Sequence, residues 1–252
     1  MAPKVVRSAL TAHPKKQTKE KIMLDKPLKI VAHRRSGNHL LWENLHINYD
    51  IEEAAGKDGD QFKYHRPYKD APEGFTDKYT CILLIRDPRD VLVSSWFYWK
   101  RGGEKKAKVA ELLADKTFSE YIRGINPDEL DKFKPEKDEM DMYLIKDHIK
   151  DPVQNWLDYL DWEPHVAGKM TYERVVANPK GVVKGFGEKF NLKPTKDRIW
   201  TVKYDYNNIG VGHKPRKGVI GDWKNHFSQE DNEYVISKAG NKMKEFGYDV
   251  IV

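Results

Sequence analysis

A strand that ends in an arginine just before a helix begins is the strongest chemical feature of this chain. Residues 86–94 read RDPRDVLVS and follow the apolar run 81–85, which predicts a buried strand and then a helix that opens at Pro88. The N-terminus of such a helix offers N–H groups without partners, to which Arg86 adds a positive charge and Ser94 a hydroxyl. We therefore expect an anion to bind here.

A second segment with the same logic is the loop at residues 33–39, HRRSGNH, between an expected strand at 28–32 and an expected helix at 37–48. Backbone N–H groups and the helix dipole can hold a phosphate there, and Arg35 and Ser36 would add a charge and a hydroxyl. The loop lacks the GxxxxGK[ST] pattern of a Walker A motif. From these residues alone, an ordinary solvated loop remains an equal alternative.

A third basic segment lies near the C-terminus, where Arg216 and Lys217 precede Gly218. An arginine can bind two phosphate oxygens at once, and a glycine lets backbone amides approach closely. The alternative is a nonspecific basic patch. Trp223 and Phe227, which follow in register, argue against that alternative and are expected to be core contacts.

His65, in the segment KYHRP, is the residue that could accept a proton. An imidazole with a pKa near 6.5 can take the proton of a hydroxyl near neutral pH. Without other information, one histidine among nine is more often structural or solvent-exposed. Lys63 could neutralise negative charge beside it or simply be a solvated strand residue.

The elements that must position these residues alternate along the chain. Strands are expected at 28–32, 61–65, 78–85 and 168–172, and helices at 37–48, 88–99, 106–115, 117–124, 137–161, 179–190 and 194–204. The alternation predicts a single α/β domain, with a mostly parallel central sheet flanked by helices on both faces. We expect this domain to occupy residues 28–252, after a basic and mobile arm at 1–27.

Composition sets outer limits on function. The 252 residues include 45 Lys and Arg against 39 Asp and Glu, so the formal charge of +6 favours an anionic ligand without identifying it. The single cysteine, Cys81, cannot form an internal disulfide, which favours a reducing compartment. With no secretory leader and no apolar run near the roughly 18 residues of a membrane span, we expect a cytoplasmic protein without a membrane partner.

Four of these segments resemble the motifs of sulfotransferases that use 3'-phosphoadenosine 5'-phosphosulfate (PAPS). RDPRDVLVS is similar to their 3'-phosphate segment, RKGVIGDWKNHF to their C-terminal motif, and KYHRP to the stretch that carries their catalytic base. In the loop that resembles their 5'-phosphosulfate loop, Arg35 stands where Lys is usual, Arg34 replaces a Pro and Leu40 replaces a Trp. The resemblance covers about residues 28 to 248 in the family's order.

The resemblance implies a P-loop-like strand, loop and helix that bind the phosphosulfate, and in-line transfer of a sulfuryl group from PAPS to a hydroxyl or amine. His65 is then the general base, and Arg35 and Lys63 are catalytic cations. The desulfated product is 3'-phosphoadenosine 5'-phosphate (PAP), and no metal is needed. The nucleotide would be bound by Arg35, Ser36, Gly37, Asn38, His39, Arg86, Ser94, Tyr172, Thr201, Arg216, Lys217 and Gly218.

The acceptor is expected to be a small hydroxylated molecule, in a pocket formed by residues 66–77 and 101–165. The family's dimer motif is only partly kept, because Gln229 stands where an aliphatic residue is usual, so we expect a monomer or a weak homodimer. Two other classes remain as alternatives: a P-loop kinase or NTPase that uses ATP with magnesium, and a basic nucleic-acid-binding protein. No nucleic-acid recognition motif is evident, so we expect no specific nucleic acid.

Overall fold

A computed structural model of the chain describes residues 24–49, 51, 63–101, 107–132, 146–199 and 218–251. In this part, four strands form one parallel sheet in the order β2-β1-β3-β4. They are β1 (Leu28–Val31), β2 (Lys63–Tyr64), β3 (Thr80–Ile85) and β4 (Gly168–Thr171). The chain passes from β1 to one side for β2 and then to the other side for β3. Such a switch point opens a crevice beyond the carboxyl ends of β1 and β3.

Eleven α-helical segments are described around the sheet, besides short 3-10 turns. They are α1 (Asn38–His46), α2 (Phe75–Lys78), α3 (Pro88–Lys100), α4 (Ala107–Leu112), α5 (Phe118–Arg123), α6 (Pro127–Lys132), α7 (146–150), α8 (Pro152–Leu160), α9 (Tyr172–Ala177), α10 (Pro179–Lys189) and α11 (Gln229–Glu245). None of those in the described ranges is long and apolar enough to cross a membrane.

The sheet is covered on both faces, as predicted, which is why its central strands are apolar without alternation. On one face, Ile30, Ile82 and Leu84 belong to a cluster that includes buried residues of α1 and α10. On the other face, Leu83 and Ile85 pack in a larger cluster with residues of α3, α8 and α11. The predicted α/β class and parallel sheet are therefore confirmed.

The helix predicted at 194–204 is wrong for residues 194–199, which are not helical. Their backbone donors are used elsewhere: Thr195 N donates to the carbonyl of Asn48 at 2.7 Å, and Arg198 N donates to Asn48 Oδ1 at 3.0 Å. Bonds to the end of α1 thus replace the bonds of a helix. Residues 200–204 lie outside the described residues.

The single helix predicted at 137–161 is divided in the described part, where α7 ends before Asp151 and α8 begins at Pro152. Proline has no N–H for an internal helical bond, and the Asp151 side chain instead accepts a bond from Gln154 N at 3.0 Å, which starts a new helix. Residues 137–145 are outside the described ranges. The sequence analysis did not predict α2, α6, α9 or α11.

The last residues of the expected arm contact the domain. Thr80 N donates to the carbonyl of Pro27 at 2.9 Å, and Lys26 Nζ donates to the carbonyl of Thr76 at 3.3 Å. Both contacts involve the chain around α2 and β3, so residues 24–27 lie along the start of the sheet. Residues 1–23 are not among those described.

Candidate functional site

The two predicted anion segments meet at the switch point of the sheet. The loop after β1 and the turn after β3 are joined by Arg86, whose Nη1 donates to the carbonyl of Arg35 at 3.1 Å. Arg35 Nε in turn donates to Ser94 Oγ, on the second turn of α3, at 3.2 Å. Asp87 caps α3 by accepting a bond from Arg89 N at 2.9 Å. These bonds place two arginines, a hydroxyl and two helix N-termini at one crevice.

The first loop is held in a conformation that requires glycine. Gly37 has a φ of 93°, and Arg35 before it has a φ of 72°, both in the left-handed region. A Cβ on Gly37 would lie 2.3 Å from Cδ2 of Tyr172, so the tyrosine ring occupies the space that a side chain would need. The Tyr172 hydroxyl donates to the carbonyl of Gly218 at 3.0 Å, which connects the C-terminal motif to this loop.

At two residues of the same loop, every side-chain polar atom is buried and lacks a hydrogen-bond partner in the part of the chain that the structure describes. These atoms are Oγ of Ser36, which is 1% exposed, and both side-chain polar atoms of Asn38, which is 5% exposed. A buried polar group left unsatisfied costs about 1–3 kcal/mol, so a ligand that satisfies these atoms would recover that energy. His39, one residue further into α1, is exposed.

Arg86 organises the second half of the crevice. Its guanidinium lies over the ring of Tyr172, 4.4 Å from the centroid, and its Nη2 donates to the carbonyl of Val219 at 3.3 Å and is 3.7 Å from Asp90 Oδ2. Asp90 accepts bonds from the backbone N–H groups of Gly221 and Trp223 at 2.8 and 3.0 Å. Burial raises the pKa of Asp90, although the charge of Arg86 acts in the opposite direction.

The described part of the C-terminal motif therefore lies against Arg86 and the start of α3. Trp223 packs as expected, since the guanidinium of Arg89 stacks on its ring at 3.8 Å and Phe227 contacts it with centroids 5.7 Å apart. Three predicted nucleotide contacts, Thr201, Arg216 and Lys217, lie outside the described residues.

His65 follows β2 and points its ring back at the first strand. Its Nδ1 is 2.9 Å from the carbonyl of Ala32, and because a carbonyl can only accept, Nδ1 carries the proton and Nε2 is a lone pair. Burial, followed by the charge of Arg34, lowers the pKa of His65 to about 3, and Lys63 acts in the same direction. The Tyr159 hydroxyl donates to the backbone carbonyl of His65 and helps to hold the backbone at that residue in place. The arrangement presents a neutral imidazole with one free basic nitrogen.

Two more histidines lie close to His65, and the sequence alone did not identify them. His33 precedes the loop that contains Arg35 and Ser36, and His148 comes from α7; the two ring nitrogens are 3.1 Å apart. Burial lowers the pKa of His33 to about 4 and that of His148 well below its usual value. The position of His33 beside the loop was a usable signal. No local pattern indicated His148, because it is 115 residues away in the chain.

The described residues thus combine a parallel sheet, a loop at its switch point that could bind an anion, and a neutral histidine beside that loop. These features place the chain among α/β proteins with a candidate anion site at the switch point of the sheet. A family model described as "Sulfotransferase domain" matches residues 54–247, and the chain belongs to that family. Rat sulfotransferase 2A1 is 26% identical over 191 residues, which cover 68% of this chain and 59% of the relative. Guinea pig 3-beta-hydroxysteroid sulfotransferase is 24% identical over 219 residues, covering 77% and 68% of the two chains. The match thus spans 59% of the length of the rat relative.

A solved structure of mouse sulfotransferase SULT7A1, complexed with PAP, has the same fold. The TM-score is 0.54 at 16% sequence identity, and the comparison covers 88% of this chain and 85% of the mouse chain. This likeness supports the fold assignment and does not by itself assign a ligand to this chain.

Proposed function

We propose that this protein is a PAPS-dependent sulfotransferase that transfers a sulfuryl group to a hydroxyl, or an amine, of a small molecule. The observation that carries the proposal is the pair of unsatisfied buried residues, Ser36 and Asn38, in a loop flanked by Arg35, Arg86 and Ser94. Membership of the sulfotransferase family supports the same conclusion.

The residues of the crevice fit an anionic nucleotide. Ser36 Oγ and the Asn38 amide would contact the 5'-phosphosulfate, with the N–H groups of Gly37, Asn38 and His39 at the start of α1. Arg86 and Ser94 would hold the 3'-phosphate, where Gly218 lies next to the Tyr172 hydroxyl. Arg216, Lys217 and Thr201 are proposed to complete this set. PAP, the ligand of the mouse structure, carries both of the phosphates that such a site would need.

The nucleotide supplies an activated sulfuryl group, and the protein supplies position, charge and a proton acceptor. Arg35 and Lys63 stabilise negative charge on the sulfuryl oxygens and the leaving phosphate. Nε2 of His65 accepts the proton of the acceptor hydroxyl, whose oxygen forms the new S–O bond as the S–O bond to the phosphate breaks. Binding of an anion beside His65 raises its pKa from about 3 toward neutrality, which makes it a stronger base when the site is filled.

The acceptor belongs to the class of small hydroxylated molecules, a choice supported by the name of the guinea pig hydroxysteroid relative. We also propose that residues 66–77 and 101–165 form the acceptor pocket and that the protein is a monomer or a weak homodimer. The proposed reaction uses neither a metal nor a nucleic acid. A cytoplasmic location likewise stays a prediction.

Calorimetric titration of the purified protein with PAP, with ADP as the comparison, tests the nucleotide site. We expect micromolar or tighter binding of PAP and weaker binding of ADP by at least about 1.5 kcal/mol, the worth of one charged hydrogen bond. Equal affinities, or no binding, would contradict the proposal. A magnesium-dependent turnover of ATP would favour the kinase alternative instead.

A further inference from the structure

A pair of buried histidines lies beside His65 and has no part in the transfer just described, which needs one imidazole. His148 Nδ1 is 3.1 Å from His33 Nε2, and the rings meet edge to face with centroids 4.6 Å apart. His148 is 3% exposed and His33 is 4% exposed. Two imidazoles removed from water in this way need an explanation, because burial disfavours polar groups unless all their hydrogen bonds are made.

The positions of the protons on this pair follow from its partners. His33 Nδ1 is 2.7 Å from the carbonyl of Arg34, which can only accept, so that nitrogen carries a proton. Burial lowers the pKa of both rings, so each holds a single proton at neutral pH. His33 Nε2 is therefore an acceptor, and the proton between the rings belongs to His148 Nδ1. It follows that Nε2 of His148 carries a lone pair and no proton.

That lone pair is buried and has no hydrogen-bond partner among the described residues. A second acceptor on the same group of residues, Oδ1 of Asn155, is also buried without a partner, and the Asn155 side chain bonds to His33. The nearby hydroxyl of Tyr159 is already used on the carbonyl of His65. Neither acceptor makes a hydrogen bond within the described residues, and one buried donor that also lacks a partner there is Nε1 of Trp99, whose ring centroid is 6.4 Å from that of His148.

The surroundings define the kind of donor that fits. The rings of Tyr159 and Trp99 lie near His148, with centroids 6.2 and 6.4 Å from it, and surround it with aromatic carbon. The charge of Arg34 lowers the pKa of His33, His65 and His148, so its field extends over all three rings. A cationic donor such as an ammonium would be repelled by that charge, whereas a hydroxyl would not.

We propose that His148 is a specificity-determining residue, whose Nε2 accepts a hydrogen bond from a second hydroxyl of the acceptor while His65 takes the proton of the hydroxyl that is sulfated. The inference rests on the proposed function and names its substrate class: molecules with two hydroxyl groups, preferred over matched molecules with one. His33 acts through His148 as a positioning residue, because it fixes which nitrogen of His148 is free.

The test compares matched acceptors with the full chain and PAPS: catechol against phenol, and 1,2-cyclohexanediol against cyclohexanol. We expect the wild-type protein to prefer a diol by about 3- to 10-fold in kcat/KM, the range of one neutral hydrogen bond. His148→Phe, which keeps a flat ring but no nitrogen, should bring the ratio close to one by raising KM for the diol. His148→Gln, whose side-chain oxygen can reach the same place, should restore much of the preference.

A measurement on the unmutated protein keeps the test valid if a variant folds poorly. Two-bond proton–nitrogen NMR of the PAP-saturated protein should find His148 Nε2 without a proton, and its signal should move when a diol is added and stay when the single alcohol is added. A protonated Nε2, no diol preference in the wild type, or a preference that survives His148→Phe would each overturn the inference. An unchanged signal with every diol would do the same.

The outcome also separates this inference from the proposed function. If PAP does not bind, the proposed function fails. If PAP binds but no diol is preferred over its single-alcohol match, in turnover or in the NMR titration, only the role of His148 fails.

Discussion

The site has two sides that use opposite electrostatic strategies. The phosphate side consists of the loop residues 35–38 with Arg86 and Ser94, and its cations are held in place by bonds to backbone carbonyls and a hydroxyl. The histidine side consists of His33, His65, His148 and Tyr159, and there burial removes charge from the imidazoles. An anion is bound by fixed positive charge, whereas an imidazole can accept a proton only if it is neutral beforehand.

The largest expected effect comes from the histidine side. We expect His65→Ala to lower kcat by about 10²- to 10⁴-fold, the usual contribution of a general base, because no other described group presents a free nitrogen at that position. PAP affinity, measured by calorimetry, should stay within a few-fold, since the contacts proposed for the phosphates lie on the other side.

The exposed His46, which stacks on Trp42 at the end of α1, provides the matched control, and His46→Ala should leave kcat unchanged. A loss of PAP binding together with activity in His65→Ala would show that the two sides are not separate. Such a result would remove the base assignment.

The phosphate side predicts the reverse pattern. Arg86→Gln should weaken PAP binding by about 10- to 100-fold, because one charged hydrogen bond to a phosphate is worth roughly 1.5–3 kcal/mol, and it should change ADP affinity much less. Arg86→Lys keeps the charge but loses the paired donors that hold the carbonyls of Arg35 and Val219, so we expect an intermediate affinity. Calorimetry with both nucleotides measures each difference.

The exposed Arg174, on α9, is the control, and Arg174→Gln should bind PAP like the wild type. Equal PAP affinity in Arg86→Gln and the wild type would mean that Arg86 shapes the loops without contacting the nucleotide.

The shape of the phosphate side depends on one glycine, which a comparison of two alanine substitutions can show. Gly37→Ala places a Cβ 2.3 Å from the Tyr172 ring and at a φ of 93°, so we expect a loss of about 1–3 kcal/mol in the free energy of unfolding and weaker PAP binding. Gly185→Ala, inside α10 with nothing within 4 Å of the new Cβ, should gain up to about 1 kcal/mol. Denaturant unfolding measures both, and equal effects would contradict the special role of Gly37.

The phosphate side was largely predictable from sequence because its parts are local. A strand, a turn and a helix N-terminus follow one another within a few residues in both segments, so Arg35, Ser36, Arg86 and Ser94 could be identified before the sheet brought them together. The alternation of strands and helices predicted a mostly parallel sheet but not the order of its strands. The register of the strands and the switch point of the sheet are known only from the structure, in which β1 pairs with β3.

The histidine side was predictable only at His65. His148 reaches His33 across 115 residues, and its neutrality depends on burial, which no local pattern encodes. The failed helix at 194–199 has a similar cause, since bonds from Thr195 and Arg198 to Asn48 outweigh the start signal of Pro194. Contacts between distant segments decided both cases.

The smallest expected effect is a pH dependence of stability that belongs to the histidine side. Folded His33 takes up a proton only near pH 4, whereas an unfolded histidine does so near pH 6.5, so the unfolded chain holds more protons between these values. The free energy of unfolding therefore falls as the pH is lowered, and this single group should contribute a loss of about 2 kcal/mol between pH 7.5 and 5. His33→Phe should be less sensitive by about that amount in denaturant unfolding at the two pH values.

Comparison of the variant with the wild type separates the contribution of His33, together with its bond to His148, from the other titrations. Asp90 and Glu173 are acids whose pKa burial raises, so they favour the folded state as the pH falls and act in the opposite direction. Both remain in His33→Phe and cancel in the difference. His165→Phe, at an exposed site, should retain the wild-type slope. If His33→Phe also retains the wild-type slope, then His33 accepts a proton in the folded state at pH 5. The tautomer that leaves Nε2 of His148 without a proton would then be lost at that pH.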